Sequence, residues 1–521
     1  MKLRLMALLL AAVFLSGCLS RGSFVHYTDM EYIRPDIAQI ESSYDALCQA
    51  AAGEEPEKIV SAIYAFYDAY DWFYTCYSLA DIRYSGDLTD IYWEKEYNHC
   101  LSLSDDVDAM LEEMYYVLAD SPCREALEAE EYFGDGYFDS YDGENLWDEG
   151  FAALLEEEAR LQAEYYALSE EALACDPGSP ELYDTYGEPM GRLLVDLIRV
   201  RREMADSWGY EDYFLFANDF YYYRDYTPEQ ADVLLQGIRQ ELADVYRRMN
   251  ESDVWTLAEA PSDQEDTLAF VREASRAMGG TVWDAFRMME DAGLYDIAYG
   301  ENKFGSSFEV YLTSYQSPFV FLNPELCRYD CLVLVHEFGH FCNDYASYGS
   351  YVGIDVSEFF SQGMEYLSLC YGENTEDLTR LKMADSLSIY VEQAAFADFE
   401  QRMYRLPEDA LTVEGLNRLY EETIRAYGLD CTGFDPREYV EITHFYTNPM
   451  YIISYVVSND AAMQLYQLEQ EQPGGGLARL EENLDSGEAY FLAFLDTAGL
   501  ESPFAQGRMQ KVRETFEAIF P

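Results

Sequence analysis

Basic side chains are scarce in this 521-residue chain. It has 33 Lys and Arg residues against 99 Asp and Glu residues, so its formal net charge is −66 at pH 7. A surface of this charge repels phosphate backbones, which argues against nucleic acid as a partner. The simplest interpretation is a solvated acidic surface without a preferred partner, although cationic peptides would be attracted to it.

Long apolar runs are also scarce, and the one near the start is short. Residues 5–15 follow Lys2 and Arg4, and the run is too short to span a bilayer comfortably, so it is typical of an export signal. It ends in Leu15-Ser16-Gly17-Cys18, which resembles the lipobox of bacterial lipoproteins. The resemblance implies cleavage before Cys18, a lipid on its thiol and a bacterial protein held outside the cytoplasm on the cell membrane. An ordinary signal peptide is the alternative.

The eleven cysteines contain no Cys-x-x-Cys pair. The ten besides Cys18 are an even number in a chain expected to be exported, so disulfides are permitted. Cys327 and Cys331 could face one another on a helix. Most of the ten lie in apolar surroundings and are expected to be buried thiols.

Two glycine-rich stretches lack the spacing of known ion or phosphate sites. The Asp residues of 134–143 miss the positions of a calcium-binding loop, so this stretch predicts a loop or small hairpin. The stretch 473–476 lacks the spacing of a phosphate-binding motif.

Apolar residues recur at helical spacing over most of the chain, which predicts a mainly α protein. We divide it into a signal peptide (1–18), a tether (19–30), an N-terminal helical region (31–190) and a catalytic region (191–521). The boundary follows a patch rich in Pro and Gly at 176–190, interpreted as a linker.

Two local sequence patterns predict particular secondary-structure elements. Thr227-Pro228 is a cap followed by a first-turn proline and predicts a helix over 228–250. Alternation at 307–312 and an apolar run at 319–322 predict strands, with a turn at 314–318.

The chain has only five histidines, and two of them occur in His336-Glu337-Phe338-Gly339-His340. Residues four apart share one face of a helix, so both imidazoles can converge on one metal ion. Glu337 lies one step around the helix and can reach a water without binding the metal. The pattern predicts a zinc site with Glu337 as general base.

A catalytic zinc site of this kind commonly uses a carboxylate as its third protein ligand. Glu358 and Glu365 are seven residues apart and lie on one helical face. The glycine-containing segment 345–353 allows the chain to reverse, so that a second helix lies beside the first. The residues alone leave the choice between the two acids open.

The histidine motif followed by Asp355-x-x-Glu358-x-x-Ser361-Gln362-x-x-Glu365 resembles the thimet oligopeptidase and oligoendopeptidase F family of zinc peptidases. The resemblance implies that one Zn²⁺ is held by His336, His340 and Glu358. It also implies that Glu365 and Asp355 support these ligands through hydrogen bonds.

Two further stretches extend the resemblance over about 190–470. Residues 202–213 resemble the segment that opens the family's catalytic region. Residues 444–455 resemble its late His and Tyr motif, which implies that His444, Tyr451 and Tyr455 donate to the substrate and the oxyanion. Ile453 departs from the Tyr usual in the oligoendopeptidase branch, so the alignment of the two tyrosines stays open.

The predicted fold is therefore a large helical zincin-type peptidase, with a small β-sheet beside the active-site helix and a deep substrate channel. The predicted function is zinc-dependent endopeptidase activity on short unfolded peptides at the bacterial cell surface or periplasm, with the membrane contacted through lipid on Cys18. The alternatives are a zinc carboxypeptidase, or a peptide-binding surface lipoprotein that kept the fold without catalysis. The sequence leaves the oligomeric state and the peptide preference open.

Overall fold

The helices of the N-terminal region begin where the sequence supplies caps. In the computed structural model, which describes residues 24–129, 132–141, 149–430 and 434–521, Asp36 and Asp90 accept hydrogen bonds from the first turns of two of these helices. Pro56 occupies the first turn of a third, where its missing N–H costs nothing. The helices are α1 Ile37–Ala51, α2 Pro56–Gly86, α3 Ile91–Ala119 and α4 Arg124–Leu127. They share an apolar core of their own, which includes Leu47, Phe66 and Met114.

A second and larger apolar core runs through the rest of the described chain. Its helices are α5 Glu149–Ala172, α6 Pro180–Ser207, α7 Tyr213–Ala217, α8 Pro228–Glu241, α9 Ala243–Asn250, α10 Gln264–Met278, α11 Gly280–Asp291, α12 Asp330–Ser347, α13 Ile354–Tyr371, α14 Glu376–Ser388, α15 Ala394–Met403, α16 Val413–Tyr427, α17 His444–Thr447, α18 Ile453–Glu471, α19 Gly475–Glu481, α20 Phe491–Ala498 and α21 Arg508–Glu517. The prediction of a mainly α fold is confirmed.

Within the described residues, no helix combines the length and apolarity needed to cross a membrane. The predicted signal peptide and Cys18 lie outside the described residues.

The linker predicted over 176–190 is wrong from Pro180 onward. Ser179 caps α6, and the helix begins at Pro180 and continues through Pro189. A proline in the first turn starts a helix rather than ending one, and the patch contained that signal. The proposed boundary between 190 and 191 lies inside α6 and stays a prediction. The helix predicted over 228–250 is present with its capping box at Thr227, but it is divided into α8 and α9 at Leu242.

The predicted strands form the larger part of a three-stranded sheet. Its strands are β1 Tyr295–Asp296, β2 Ser307–Leu312 and β3 Ser317–Leu322, in the order β1-β3-β2. β2 runs antiparallel to β3, with Glu309 opposite Val320, and β1 is parallel to β3. β1 has two residues, too few for alternation to reveal it. β3 is buried throughout, whereas β2 is half-buried and forms an edge of the sheet beside α12.

All nine cysteines that the structure describes are free thiols; five of them are buried and four are half-buried. Cys327 precedes α12 instead of sharing a helix with Cys331, because the helix begins only at Asp330.

The helices α12 and α13 cross in direct backbone contact at Gly339. A Cβ atom at this position would lie 2.5 Å from the Cα of Ser361 and 2.7 Å from the carbonyl oxygen of Phe360. Only a residue without a side chain fits between two helix backbones at that distance. The sequence reverses between the helices through Tyr348 and Gly349, both of which have positive φ.

Gly339→Ala should therefore force α12 and α13 apart. We expect a loss of about 3 kcal/mol in the free energy of unfolding, the upper end of the range for overpacking, because the clash is with backbone rather than with a flexible side chain. Thermal and denaturant unfolding of parent and variant measure this. Gly487→Ala is the matched control, since nothing lies within 4 Å of a Cβ there. Equal stability of the two variants would contradict the proposed close crossing.

Candidate active site

The helix α12 presents both histidines of the sequence motif on one face. The ring centroids of His336 and His340 are 5.1 Å apart, as expected for residues one turn apart. The start of the helix is fixed by the buried Asp330 carboxylate, which accepts hydrogen bonds from the backbone N–H groups of Glu325 and Cys327. Hydrogen bonds at the N-terminal end of α12 therefore fix the position of the helix that carries the two imidazoles.

The crossing helix α13 brings a carboxylate to these imidazoles. Glu358 Oε2 lies 3.5 Å from His336 Nε2, and one ligand atom from each of His336, His340 and Glu358 lies within 4.8 Å of the others. Among the described residues this is the one group of His, Cys, Asp and Glu side chains with the spacing of a metal site. The acid that the family resemblance indicated is therefore the one that meets both histidines.

Glu365, the competing acid, contacts the other nitrogen of His336. Its Oε1 lies 2.9 Å from His336 Nδ1, while its Oε2 pairs with the buried Lys382 ammonium at 2.8 Å. Burial would raise the pKa of Glu365, but Lys382 and His336 outweigh it and hold that pKa below its ordinary value. An ionised Glu365 accepts a hydrogen bond from Nδ1–H of His336, so in the neutral ring the lone pair is on Nε2, which faces Glu358.

His340 is oriented in the same way by a hydroxyl group. Its Nδ1 lies 3.1 Å from Ser357 Oγ, and in the tautomer that donates this hydrogen bond Nε2 is free to bind a metal. Burial and the neighbouring His336 lower the pKa of His340 to about 3, so the ring is neutral. For His336, burial is opposed by the Glu365 hydrogen bond and the Glu358 charge, which together raise its pKa to about 9. The carboxylates therefore favour positive charge between the rings.

Glu337 lies beside this group without belonging to it. Ser307 on β2 donates a hydrogen bond of 2.8 Å to Glu337 Oε1, and the carboxylate is buried. Burial raises the pKa of Glu337, an effect that Glu358 and Glu365 reinforce and that His336 and Ser307 partly offset. A carboxylate whose pKa is raised in this way is suited to accept a proton and return it.

The late His and Tyr residues lie together near Glu358. His444 Nε2 is 3.2 Å from the Tyr455 hydroxyl, and the rings of Tyr451 and Tyr455 are 5.3 Å apart. Burial raises the pKa of both tyrosines, and the Glu358 charge is the next largest cause in each case. Their hydroxyls therefore remain protonated hydrogen-bond donors. Burial alone lowers the pKa of His444.

Asp355 does not support a metal ligand as predicted. Its carboxylate accepts hydrogen bonds from Arg224, Tyr226 and Ser454, and none from the three candidate ligands. Arg224 also donates to the carbonyl oxygen of Met450 at 2.7 Å. This buried ion pair fixes the segment that carries Tyr451, so Asp355 acts on the tyrosines rather than on the histidines.

Several of these partners were missed from the sequence. Lys382 and Arg224 are basic residues within apolar or aromatic segments, in a chain with few basic residues, and that rarity is the one signal that could have indicated them. Glu400, which accepts a 2.8 Å hydrogen bond from the Met450 N–H, carries no such signal among 99 acidic residues.

Comparison with known proteins agrees with this geometry. Residues 27–144 match the family model described as the peptidase M3 N-terminal domain. No curated protein matches the chain. Among solved structures, one assigned as an oligoendopeptidase F superposes with a TM-score of 0.78 at 20% identity, covering 95% of this chain and 98% of that one.

Two other solved structures have the same fold. PZ peptidase A with an inhibitor gives a TM-score of 0.77 at 18% identity, covering 95% of this chain and 99% of that one. An oligoendopeptidase F from Bacillus anthracis gives a TM-score of 0.74 at 19% identity, and the superposition covers 95% of this chain and 98% of that one. The fold is thus that of helical peptidases. The N-terminal match and the fold together support the M3 peptidase and oligoendopeptidase F family, as the sequence motifs indicated.

Glu358→Ala should lower the affinity for zinc by at least about 100-fold, because loss of even a hydrogen-bond partner of a ligand lowers metal affinity 10- to 100-fold. Metal content after dialysis against zinc buffers measures this. Glu373→Ala, an exposed acid just after α13, is the matched control. Unchanged zinc content in Glu358→Ala would transfer the ligand role to Glu365.

Proposed function

We propose that this protein is a zinc-dependent endopeptidase that hydrolyses short unfolded peptides. The observation that carries the proposal is the convergence of His336, His340 and Glu358, with the Glu337 carboxylate beside them but outside the group. This combination separates a metal-binding group from a proton-transfer group, as metal-assisted peptide hydrolysis requires.

The donor set fits zinc. Two imidazoles and one carboxylate are typical of catalytic zinc sites, which leave one position for water or substrate. Ligands of a tetrahedral zinc ion lie about 3.3 Å apart, as follows from bonds of about 2 Å, and the separation of His336 Nε2 and Glu358 Oε2 is 3.5 Å. A bound zinc ion supplies Lewis-acid polarisation of the scissile carbonyl and lowers the pKa of the attacking water.

The remaining steps belong to residues of the chain. Glu337 takes a proton from the attacking water and delivers it to the leaving amine. Ser307 holds one oxygen of this carboxylate, which leaves the other for the water. The raised pKa of Glu337 supports both halves of the transfer.

His444, Tyr451 and Tyr455 stabilise the oxyanion of the tetrahedral intermediate. All three are half-buried, and the tyrosines remain protonated and close to Glu358. Donors placed where negative charge develops lower the barrier more than the same donors in water. The Arg224–Asp355 pair preserves their position.

The edge strand β2 is suited to hold the substrate backbone. It is half-buried, lies beside α12, and its Ser307 already contacts the general base. An extended peptide that pairs with this edge would pass the base with its backbone fixed and its side chains alternating. This mode requires an unfolded peptide.

We further propose that the protein acts at the bacterial cell surface or in the periplasm, attached to the membrane by lipid on Cys18. The support is the order of charge, apolar run, small residues and cysteine at the start of the chain.

Glu337→Gln should retain zinc but lower kcat/KM for peptide hydrolysis by about 10³-fold, because the general base is lost while the ligands remain. Tyr455→Phe should lower kcat by about 10²-fold, as expected for the loss of one oxyanion donor. Quenched fluorescent peptides, with and without a chelator, measure both. Hydrolysis by Glu337→Gln at the parental rate would show that the assigned base is wrong.

The same assay distinguishes the alternatives. A zinc-loaded parent that binds peptides without cleaving them would be a binding protein on a peptidase fold. Mass spectrometry of the products from an end-blocked peptide separates internal cleavage from carboxypeptidase trimming, since a carboxypeptidase requires a free C-terminus.

Cys18→Ser should move the chain from the membrane to the soluble fraction of a bacterial host and abolish incorporation of labelled fatty acid, because the thiol is the attachment point. Cys48→Ser is the matched control, since this cysteine lies on α1 within the folded part. Undiminished lipid labelling of Cys18→Ser would contradict the anchor.

A further inference from the structure

The helices α2, α3 and α5 enclose a cavity of about 860 Å³ that takes no part in the proposed chemistry. Its walls include the rings of Tyr70, Tyr74 and Tyr116, together with apolar side chains such as Leu155. This volume lies within the range of sites for small ligands and short peptide segments.

Four carboxylates line the same cavity, and none of the described basic side chains does. The acids are Asp105, Asp108, Glu112 and Glu113. The positions 105, 108 and 112 are spaced by three and four residues, so they follow one face of α3. Glu112 is half-buried and the other three are exposed, and none of the four forms an ion pair with a described residue. Like charges on one helix face repel each other, and a bound cation would relieve that repulsion.

The tyrosines satisfy some of these acids but not all. Asp108 accepts hydrogen bonds from Tyr70 and Tyr74 at 3.0 Å and 2.6 Å, and Glu113 accepts one from Tyr44 at 2.9 Å. Asp105 and Glu112 accept no hydrogen bond from any described residue. Asp105 is exposed to water, whereas Glu112 is half-buried, and burial raises its pKa. Glu112 is therefore the half-buried acid of this cavity that has no partner among the described residues.

The arrangement suits an organic cation rather than a metal ion. Among the described residues, the group with metal spacing is the histidine site, so these four carboxylates do not converge on one point. The rings of Tyr70 and Tyr74 are 4.8 Å apart and add aromatic faces. Tyrosine faces attract ammonium and guanidinium groups, while the carboxylates supply the opposite charge.

The helix α2 connects the cavity to the sheet beside the metal site. It contributes Tyr70 and Tyr74 to the cavity wall, and it also contacts β2 and the turn that follows that strand. In this contact the Thr75 hydroxyl accepts a 2.9 Å hydrogen bond from the Ser314 N–H. A peptide that pairs with β2 and extends past this end of the strand would reach α2 and the cavity.

We propose that this cavity binds lysine and arginine side chains of the peptides on which the metal site acts, so that the protein prefers cationic peptides. The proposal rests on the proposed peptidase function for the identity of the ligand. It assigns the preference to Glu112 and Asp108 and not to the overall negative charge.

The test uses the full chain carrying Glu337→Gln, so that bound peptide is not cleaved. Fluorescence anisotropy compares one arginine peptide with the same peptide in which citrulline, a neutral isostere, replaces arginine. We expect tighter binding of the arginine peptide by about tenfold, from charge-assisted and cation–π contacts. Adding Glu112→Gln and Asp108→Asn should abolish that difference and leave the citrulline peptide unaffected. The amide oxygen introduced by Asp108→Asn can still accept the tyrosine hydrogen bonds, and circular dichroism checks folding.

Asp106→Asn is the matched control, since it removes one charge from an exposed position on the same helix outside the cavity. It should retain the arginine preference. Equal binding of both peptides by the parent would overturn the proposal, as would a preference that survives in the Glu112→Gln and Asp108→Asn chain. Spermidine serves as a small cation that is not a peptide. If it binds in a way that depends on Glu112 while the arginine and citrulline peptides bind equally, the proposal is also overturned. If the arginine preference depends on Glu112 but the zinc-loaded parent cleaves no peptide, the inference about the cavity stands and the proposed peptidase function is refuted.

Discussion

The backbone contact of α12 with α13 at Gly339 is the constraint on which the site depends. One helix supplies two imidazoles and the other supplies Glu358, Glu365 and Ser357, and each helix alone is an incomplete site. Because no side chain separates the backbones at the crossing, the short carboxylate of Glu358 reaches the imidazoles directly. A crossing at the ordinary spacing of about 8–10 Å between helix axes would leave the two sets of ligands too far apart to share an ion.

Around this crossing the protein buries charges in pairs. Lys382 neutralises Glu365, which orients His336, and Arg224 neutralises Asp355, which fixes the segment carrying Tyr451. Such pairs add little net stability, because the cost of removing charge from water offsets their attraction. Their contribution here is orientation, since each pair links a residue at the site to another element of the fold.

The acidic side chains of this protein lie in two different environments, exposed to solvent or shielded from it. Most acidic residues lie on the solvated surface, where water and salt screen them. Glu358 of the metal site is buried, and Glu112 of the cavity between α2 and α3 is half-buried, and we propose that each of these two places binds a cation. Enclosure, rather than net charge, separates a binding position from a solvated surface.

The sequence by itself determined the helical class, the two longer strands that precede the metal helix and the candidate zinc-binding histidines, because each depends on spacing within a short segment. Periodicity of 3.6 and 2 residues is local, and so is a pair of histidines one turn apart. The choice of Glu358 over Glu365 needed the resemblance to a family, since the two acids share a helical face. The resemblance also indicated that Glu365 supports a ligand. Only the tertiary structure decided that this ligand is His336, that Asp355 pairs with Arg224 and that Ser307 holds Glu337. These contacts join residues 29 to 131 positions apart, and in a chain with 99 acidic side chains no local pattern marks the few that fold into a shared, water-poor space.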